Sequence, residues 1–284
     1  MDTKIVRYIL CRMLGVEAAL LLVPVLVAVI YQEKCGIVFL IPIVILCLLF
    51  WVVGRKRPEH GQIYGKEGMV IVALAWILWS LFGAMPFTLS GYIPSYVDAF
   101  FETVSGFTTT GSSIIPDVEV LPHCLLFWRS FTHWIGGMGV LVFVLVVTSL
   151  DRKNSMHLMR AEVPGPEKDK LVPKAMSTAR ILYGMYLTLT VIEMVFLVIG
   201  GMNLFDSMIF SFGSAGTGGF SNYADSVAHF NSAYIDGVIT VFCALFGVNF
   251  ALFYFMILGD FKSILKNEEL RTYILLIAGA TAAI

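Results

Sequence analysis

The chain has 284 residues, 58% of them hydrophobic and 14% charged, with a mean hydropathy of +0.85, whereas soluble domains run about 45–50% apolar and about 25% charged. That composition excludes a soluble globular domain and places the chain among integral membrane proteins. The formal net charge of -1, from 19 basic and 20 acidic residues, leaves no basic surplus for nucleic acid, and the lack of long polar tracts excludes a disordered chain.

A bilayer crossing takes roughly 20 apolar residues. Runs of that kind occur at 13–31, 35–54, 68–92, 131–150, 181–201 and 237–259, and a seventh starts at Thr272 and reaches Ile284. The first run lacks a small-residue cleavage site after it and is read as a retained helix. Glu17, within it, is expected to snorkel toward the nearer surface. Glu193, mid-way along the fifth run, reads either as part of an ion path or, as befits an outer helix, as a structural hydrogen-bonding group. Cys11, Cys35, Cys47, Cys124 and Cys243 form no CxxC pair and read as packing residues.

Two shorter apolar stretches, 97–108 and 203–213, lie between the third and fourth runs and between the fifth and sixth. Both are too short to cross, and each leads into a Gly/Thr/Ser-rich segment. They are read as re-entrant helices followed by irregular backbone. If the N-terminus is cytoplasmic, 17 of the 19 Lys and Arg residues fall on the inner side, leaving only Lys34 and Arg129 outside. This bias sets the orientation and puts both re-entrant stretches on the outer face. The same face carries Asp98, Glu102, Asp117, Glu119, Asp206, Asp225 and Asp236, a charge distribution that concentrates cations.

The chain thus contains a repeat of span, re-entrant helix, irregular loop and span, at 68–150 and 181–259. VDAFFETVSGFTTTGSS (97–113) and FDSMIFSFGSAGTGGFS (205–221) match in kind. Placing Gly111 on Gly218 also pairs Thr110 with Thr217 and Gly106 with Gly213. Asp98 and Asp206 then fall one residue out of step, which predicts a single-residue length change in one unit. Thr-Gly backbone at such a place suits replacement of an ion's hydration shell by carbonyl oxygens. Glycine supplies the positive-φ conformations that aligned carbonyls demand, and the re-entrant helix aims its partly negative carboxyl end at the cavity. Nucleotide binding fits poorly: SFGSAGTGGFS lacks the lysine of GxxxxGK[ST] and does not complete GxGxxG.

SGFTTTGSS, FWRSFTHWIGGMGVLVF (127–143), MRAEVPGPEKDKLVPKAMSTARILYGMYLTLT (159–190) and GTGGFSNY together resemble the Trk/Ktr/HKT superfamily of potassium transporters. The two extra spans before the first repeat resemble its TrkH branch. The resemblance implies an all-α membrane protein with two N-terminal transmembrane helices, then helix, pore-loop, helix repeats of a potassium-channel-like pore, two complete and a third cut off. The implied organisation is 1–60 for the N-terminal pair, 61–150 for the first repeat, 151–180 for a cytoplasmic loop, 181–260 for the second repeat and 261–284 for a linker and the start of a third. Each filter loop centres on one glycine, matched here by Gly111 and Gly218. The expected filter backbone is Thr108, Thr109, Thr110 and Gly111, then Ala215, Gly216, Thr217 and Gly218. Potassium is implied as the transported ion, with no cofactor and no transition-metal site in this chain. A homodimer in the lipid of a bacterial inner membrane, with a cytoplasmic nucleotide-binding regulatory subunit of the TrkA kind, is implied as well. Lys168 and Lys170, in the loop 151–180, are expected to help dock that regulator.

Arg129 is expected to form an ion pair with Glu102 or Asp117. His133, Gly136, Gly137 and Gly139 are expected to serve close helix packing, and Trp128 and Trp134 an interfacial belt. A cation-coupled secondary transporter with a midplane site remains the alternative, although its breaks usually interrupt a spanning helix. A membrane protease would need a nucleophile and base at persuasive spacing, and none recurs. The seventh run is too short to cross at 1.5 Å per residue, so Ile284 is expected to interrupt a third unit, and the chain alone is expected to insert without selective potassium flux.

Overall fold

The computed structural model describes residues 3–55, 65–139, 175–257, 259–260, 264 and 266–283, and all regular structure among them is helical. Four described stretches are long and apolar enough to cross a membrane: Thr3–Ile30, Lys34–Gly54, Glu67–Leu89 and Ile181–Ile199. The first comprises α1 (Thr3–Leu20) and α2 (Leu22–Ile30), so it starts well before the run expected at 13–31. Lys and Arg are good helix formers, and Lys4, Arg7 and Arg12 extend the helix beyond its apolar part. The second joins a 3-10 turn (Lys34–Phe39), α3 (Leu40–Leu49) and a π turn (Phe50–Gly54).

α1 packs on α3 and on α4 (Gly65–Leu89). Glu17 does not snorkel. It is 0% exposed and neither carboxylate oxygen has a hydrogen-bond partner among the described residues. The reason is its helix face: Glu17 shares the buried stripe of Met13, Leu14, Ala18 and Leu21, spaced as a core-facing side requires.

Two similar groups of helices follow. α5 (Tyr96–Phe107) packs between α4 and α6 (His123–Gly137). α8 (Leu204–Ala215) packs between α7 (Ala175–Ile199) and α9 (Ala233–Phe246), and also on α6. α6 starts after Pro122, eight residues before the run expected at 131–150. The second part of that run and most of the loop 151–180, Lys168 and Lys170 included, lie outside the described residues.

The run expected at 237–259 is not one helix. α9 ends at Phe246 and α10 (Phe250–Ile257) begins after three intervening residues. Contacts from α11 (Glu268–Ala283) occupy the break. The Tyr273 hydroxyl donates to the Ala244 carbonyl at 3.0 Å and Asn249 donates to Glu269 at 3.1 Å. A Cβ on Gly247 would collide with Tyr273.

Trp128 and Trp134 are not in a surface belt, being 0% and 8% exposed. Each indole N–H has a protein acceptor instead of interfacial water: Trp128 donates to the Gly83 carbonyl at 2.9 Å and Trp134 to the Thr190 hydroxyl at 3.1 Å. Phe107 meets Trp79 and Trp128 edge to face, with centroids 5.6 and 6.1 Å away, in the range where aromatic pairs add stability beyond area burial. This cluster fixes the carboxyl end of α5.

Candidate functional site

α5 and α8 have the same length, 12 residues, and the same start. Ser95 and Asn203 sit in extended backbone at their N-caps and accept from the amides of Asp98 and Asp206, at 3.4 and 2.8 Å. Such caps satisfy amides that a helix start leaves open. The helices also end alike. Thr109 N–H donates to Gly106 O at 3.0 Å and Thr110 N–H to Ser105 O at 2.9 Å; Thr217 N–H donates to Ser214 O at 2.9 Å and Gly218 N–H to Gly213 O at 3.0 Å. Positive φ recurs at Thr109 (55°) and Gly111 (77°), and at Thr217 (53°) and Gly219 (81°).

Caps, closing bonds and positive-φ positions therefore agree on one register, in which Thr108 matches Gly216, Thr110 matches Gly218 and Gly111 matches Gly219. The expected pairing of Gly111 with Gly218 is one residue off, and the expected length change is absent between the caps and these glycines. Ala215 is the last residue of α8 and matches Phe107. Left-handed backbone at a threonine is an outlier for a β-branched residue, and its recurrence in both loops marks a strained conformation of the kind found at functional sites.

The two loops meet backbone to backbone. A Cβ built on Gly111 would fall on the Gly218 carbonyl oxygen and 3.4 Å from its Cα. Both loops rest on α6 through successive glycines. A Cβ on Gly136 would stand 2.9 Å from the Phe107 carbonyl carbon and 3.0 Å from Thr109 Cγ2; one on Gly137 would stand 3.0 Å from both the Ala215 oxygen and Gly216 Cα. The close helix packing expected of Gly136 and Gly137 is thus made to the carboxyl ends of α5 and α8 and the first residues of the loops that follow them, and at Gly137 also to the Tyr186 hydroxyl of α7.

Buried charge ties the loops together farther along. Arg129 Nε donates to Glu102 Oε1 at 2.6 Å, with side chains 4% and 1% exposed. Glu102 also accepts from the Ser113 hydroxyl at 2.9 Å and the Ile114 amide at 2.9 Å, while Arg129 donates to the Ser221 carbonyl at 2.8 Å. Of the two acids expected to pair with Arg129, Glu102 is the partner, and the pair spans both loops. The second loop has an anchor of its own: Asp206 accepts from Asn203 and Asn222, both at 2.7 Å, and from the Tyr223 hydroxyl at 2.9 Å. Burial, together with the Asp206 hydrogen bond and the charges of Asp206 and Glu119, pushes the Tyr223 phenol up to about 12, so it stays a donor.

Glu33 holds the start of α6, accepting from the His123 and Cys124 amides at 2.8 and 3.0 Å and facing His123 Nδ1 at 2.9 Å. An anion is favoured at a helix N-terminus. Burial acts to raise the Glu33 carboxyl, but these hydrogen bonds outweigh it and leave the group below its usual range. Glu193 is 0% exposed. Ser214 lies beside it, outside hydrogen-bond geometry, so the structural hydrogen bond expected for Glu193 is absent among the described residues.

The family model for TrkH, described as a cation transport protein, matches residues 36–283. The chain belongs to the TrkH family. Among curated relatives, the Trk system potassium uptake protein TrkH of Escherichia coli (strain K12) is 35% identical over 261 residues, 89% of this chain and 53% of that protein. The Trk system potassium uptake protein TrkG of the same strain is 35% identical over 263 residues, 91% of this chain and 54% of that one. The crystal structure of the potassium transporter TrkH from Vibrio parahaemolyticus matches with a TM-score of 0.82 at 29% identity, covering 97% of this chain and 57% of that chain. The chain spans about half the length of the curated relatives it matches. For this TrkH-family chain, sequence reasoning missed Gly219 and Phe220. The signal for Gly219 was present: Ser95 and Asn203, each three residues before an aspartate, set the register without reference to the glycines.

Proposed function

We propose that this TrkH-family chain supplies part of the wall of a potassium pore, with Thr108, Thr109, Thr110 and Gly111 and, in the revised register, Gly216, Thr217, Gly218 and Gly219 as filter backbone. The observation that carries this reading is the pair of loops itself. They agree in caps, closing bonds and positive-φ positions, and they meet through the close approach of Gly111 and Gly218. Carbonyl oxygens of such loops replace the hydration shell of a cation, and the carboxyl ends of α5 and α8 lend partial negative charge. The loops follow separate 12-residue helices instead of interrupting a spanning one, which favours a pore over a secondary transporter with a midplane site. The names of the relatives, potassium uptake proteins, support potassium as the ion.

In this reading, residues 1–60 form an N-terminal pair of spans, 61–150 and 181–260 form two pore-loop repeats joined by the cytoplasmic loop 151–180, and 261–284 lead into a third. The Lys/Arg bias supports a cytoplasmic N-terminus in the inner membrane. The protein acts as a homodimer with a TrkA-like nucleotide-binding subunit docked partly on Lys168 and Lys170. Rubidium and sodium uptake test the filter, in cells lacking their own potassium uptake and expressing the complete coding sequence. Gly111→Ala and Gly219→Ala are expected to lose potassium uptake or its preference over sodium while membrane levels hold. Wild-type preference in both variants would overturn the filter assignment. Charge reversal at Lys168 and Lys170 is expected to weaken copurification of the regulator, and equal recovery would remove this loop as a contact.

A further inference from the structure

The residue after Gly219 is held in an unusual way. The Arg129 guanidinium carbon lies 3.6 Å from the centroid of the Phe220 ring, and the His133 ring stacks on the same ring at 3.9 Å and 11°. Two flat groups each within 4 Å of one centroid cannot occupy the same face, so Phe220 is sandwiched between them. Arg129 and His133 are one helical turn apart on α6, and side chains at i and i+4 stand one above the other. The ring therefore fills the slot between two successive turns. Phe220 is 2% exposed and His133 0%. His133 also crowds the loop directly: a Cβ on Gly218 would lie 2.7 and 2.8 Å from the two ring nitrogens. Neither nitrogen has a hydrogen-bond partner among the described residues, so the ring contributes through its face and its bulk.

We infer that Phe220, clamped between Arg129 and His133, is the positioning residue that sets the height and tilt of the second loop and so determines ion selectivity. The inference rests on the filter reading above. Gly219 and Gly218 are the two residues immediately before the clamped ring, and a displacement of its Cα passes to their carbonyls within one or two peptides. Among the described residues no ring stack of this kind acts on the first loop, where Ser112 takes the place of Phe220 in the matched register. That loop is steadied by Glu102 through Ser113 and Ile114.

The test measures the ratio of rubidium to sodium uptake, at matched membrane levels, for the complete coding sequence carrying Phe220→Leu, Phe220→Tyr, His133→Leu and Gly219→Ala. Stacked aromatic pairs of this kind support a roughly three- to tenfold effect. Phe220→Leu and His133→Leu are expected to lower the ratio by that factor, and Phe220→Tyr, which keeps the ring, to preserve it. A wild-type ratio in Phe220→Leu overturns the clamp, as does a Phe220→Tyr ratio as low as that of Phe220→Leu. If Phe220→Leu fails to reach the membrane, His133→Leu decides, and an unchanged ratio there overturns the proposal. Gly219→Ala separates the two readings. A changed ratio in Gly219→Ala beside unchanged clamp variants leaves the filter standing and removes the clamp, whereas no change in Gly219→Ala removes the second loop from the filter and the clamp with it.

Discussion

Removing either member of the Glu102–Arg129 pair should cost far more than an ion pair usually does. The two side chains are 1% and 4% exposed and 2.6 Å apart, so Arg129→Met would leave a carboxylate buried without its cation, and Glu102→Gln a guanidinium without its anion. Breaking a buried pair from one side costs about 3–5 kcal/mol, against about 0–1 kcal/mol for an exposed one. The figure belongs at the upper end for Glu102, because Ser113 and Ile114 also depend on it. The double variant Glu102→Gln with Arg129→Met strands no charge and should be less damaging than the sum by about 1–3 kcal/mol. Unfolding by SDS in mixed micelles, followed by tryptophan fluorescence, measures all three. Trp128 lies next to Arg129 in the sequence and is fully buried, so it reports on this region. Losses below about 1 kcal/mol in both single variants, or simple additivity in the double, would refute the claim that one buried pair braces both loops.

Gly218→Ala and Gly219→Ala should fail for different reasons. The first collides with the His133 ring, whereas the second meets nothing within 4 Å but must hold φ near +81°, a backbone cost of about 1–2 kcal/mol. Adding His133→Ala should then rescue the stability of Gly218→Ala in detergent and leave Gly219→Ala unchanged; equal rescue of both would contradict the distinction. Gly136→Ala drives a methyl into the Phe107 carbonyl and should cost about 1–3 kcal/mol as overpacking, with reduced potassium preference in uptake; full stability would mean that α6 can retreat from the first loop. The carboxyl of Glu33 is held below its usual range. Its contribution is therefore complete above the unfolded value of about 4.3 and is lost as pH falls through the lower folded one. Stability measured from pH 6 down to pH 3 should fall less steeply in Glu33→Gln than in the wild type, and parallel curves would rule out Glu33 as the titrating group.

The positions of α5 and α8 were legible in the sequence because short apolar runs bounded by cap residues on one side and glycines on the other leave little freedom. Their register was not. GTGG offers two adjacent glycines, and pairing the first with Gly111 also aligns a threonine on each side, so matching by identity rewards the wrong answer. The cap residues resolve it, since Ser95 and Asn203 act through hydrogen bonds fixed at three residues' distance. Elsewhere the misreadings share a cause, which is that tertiary partners arrive from distant sequence. Glu17 reads as a group free to reach a surface until its buried helix face is known. Trp128 and Trp134 read as interfacial until Gly83 and Thr190 are found to accept from them. The break after Phe246 lies inside a continuous apolar run and becomes intelligible only with Tyr273 and Glu269 in place.

α6 is the element on which both loops depend, and the reason is geometric. Gly136 and Gly137 are neighbours in sequence, so their α-carbons face directions about 100° apart around a helix of 3.6 residues per turn. One admits the first loop and the other the second. A turn or two earlier, Arg129 and His133 reach the far end of the second loop through Phe220 and Ser221, and Arg129 reaches the first through Glu102. Under the filter role proposed above, ion coordination by opposed carbonyls requires two loops that hang from separate helices to keep a fixed separation. Seating both on one helix, with Gly111 against Gly218 where they meet, fixes their separation through α6 and their own contact. It follows that substitutions at Arg129, which bonds toward both loops, should act on both at once, whereas substitutions at the anchors of one loop, such as Asp206, should leave the other in place.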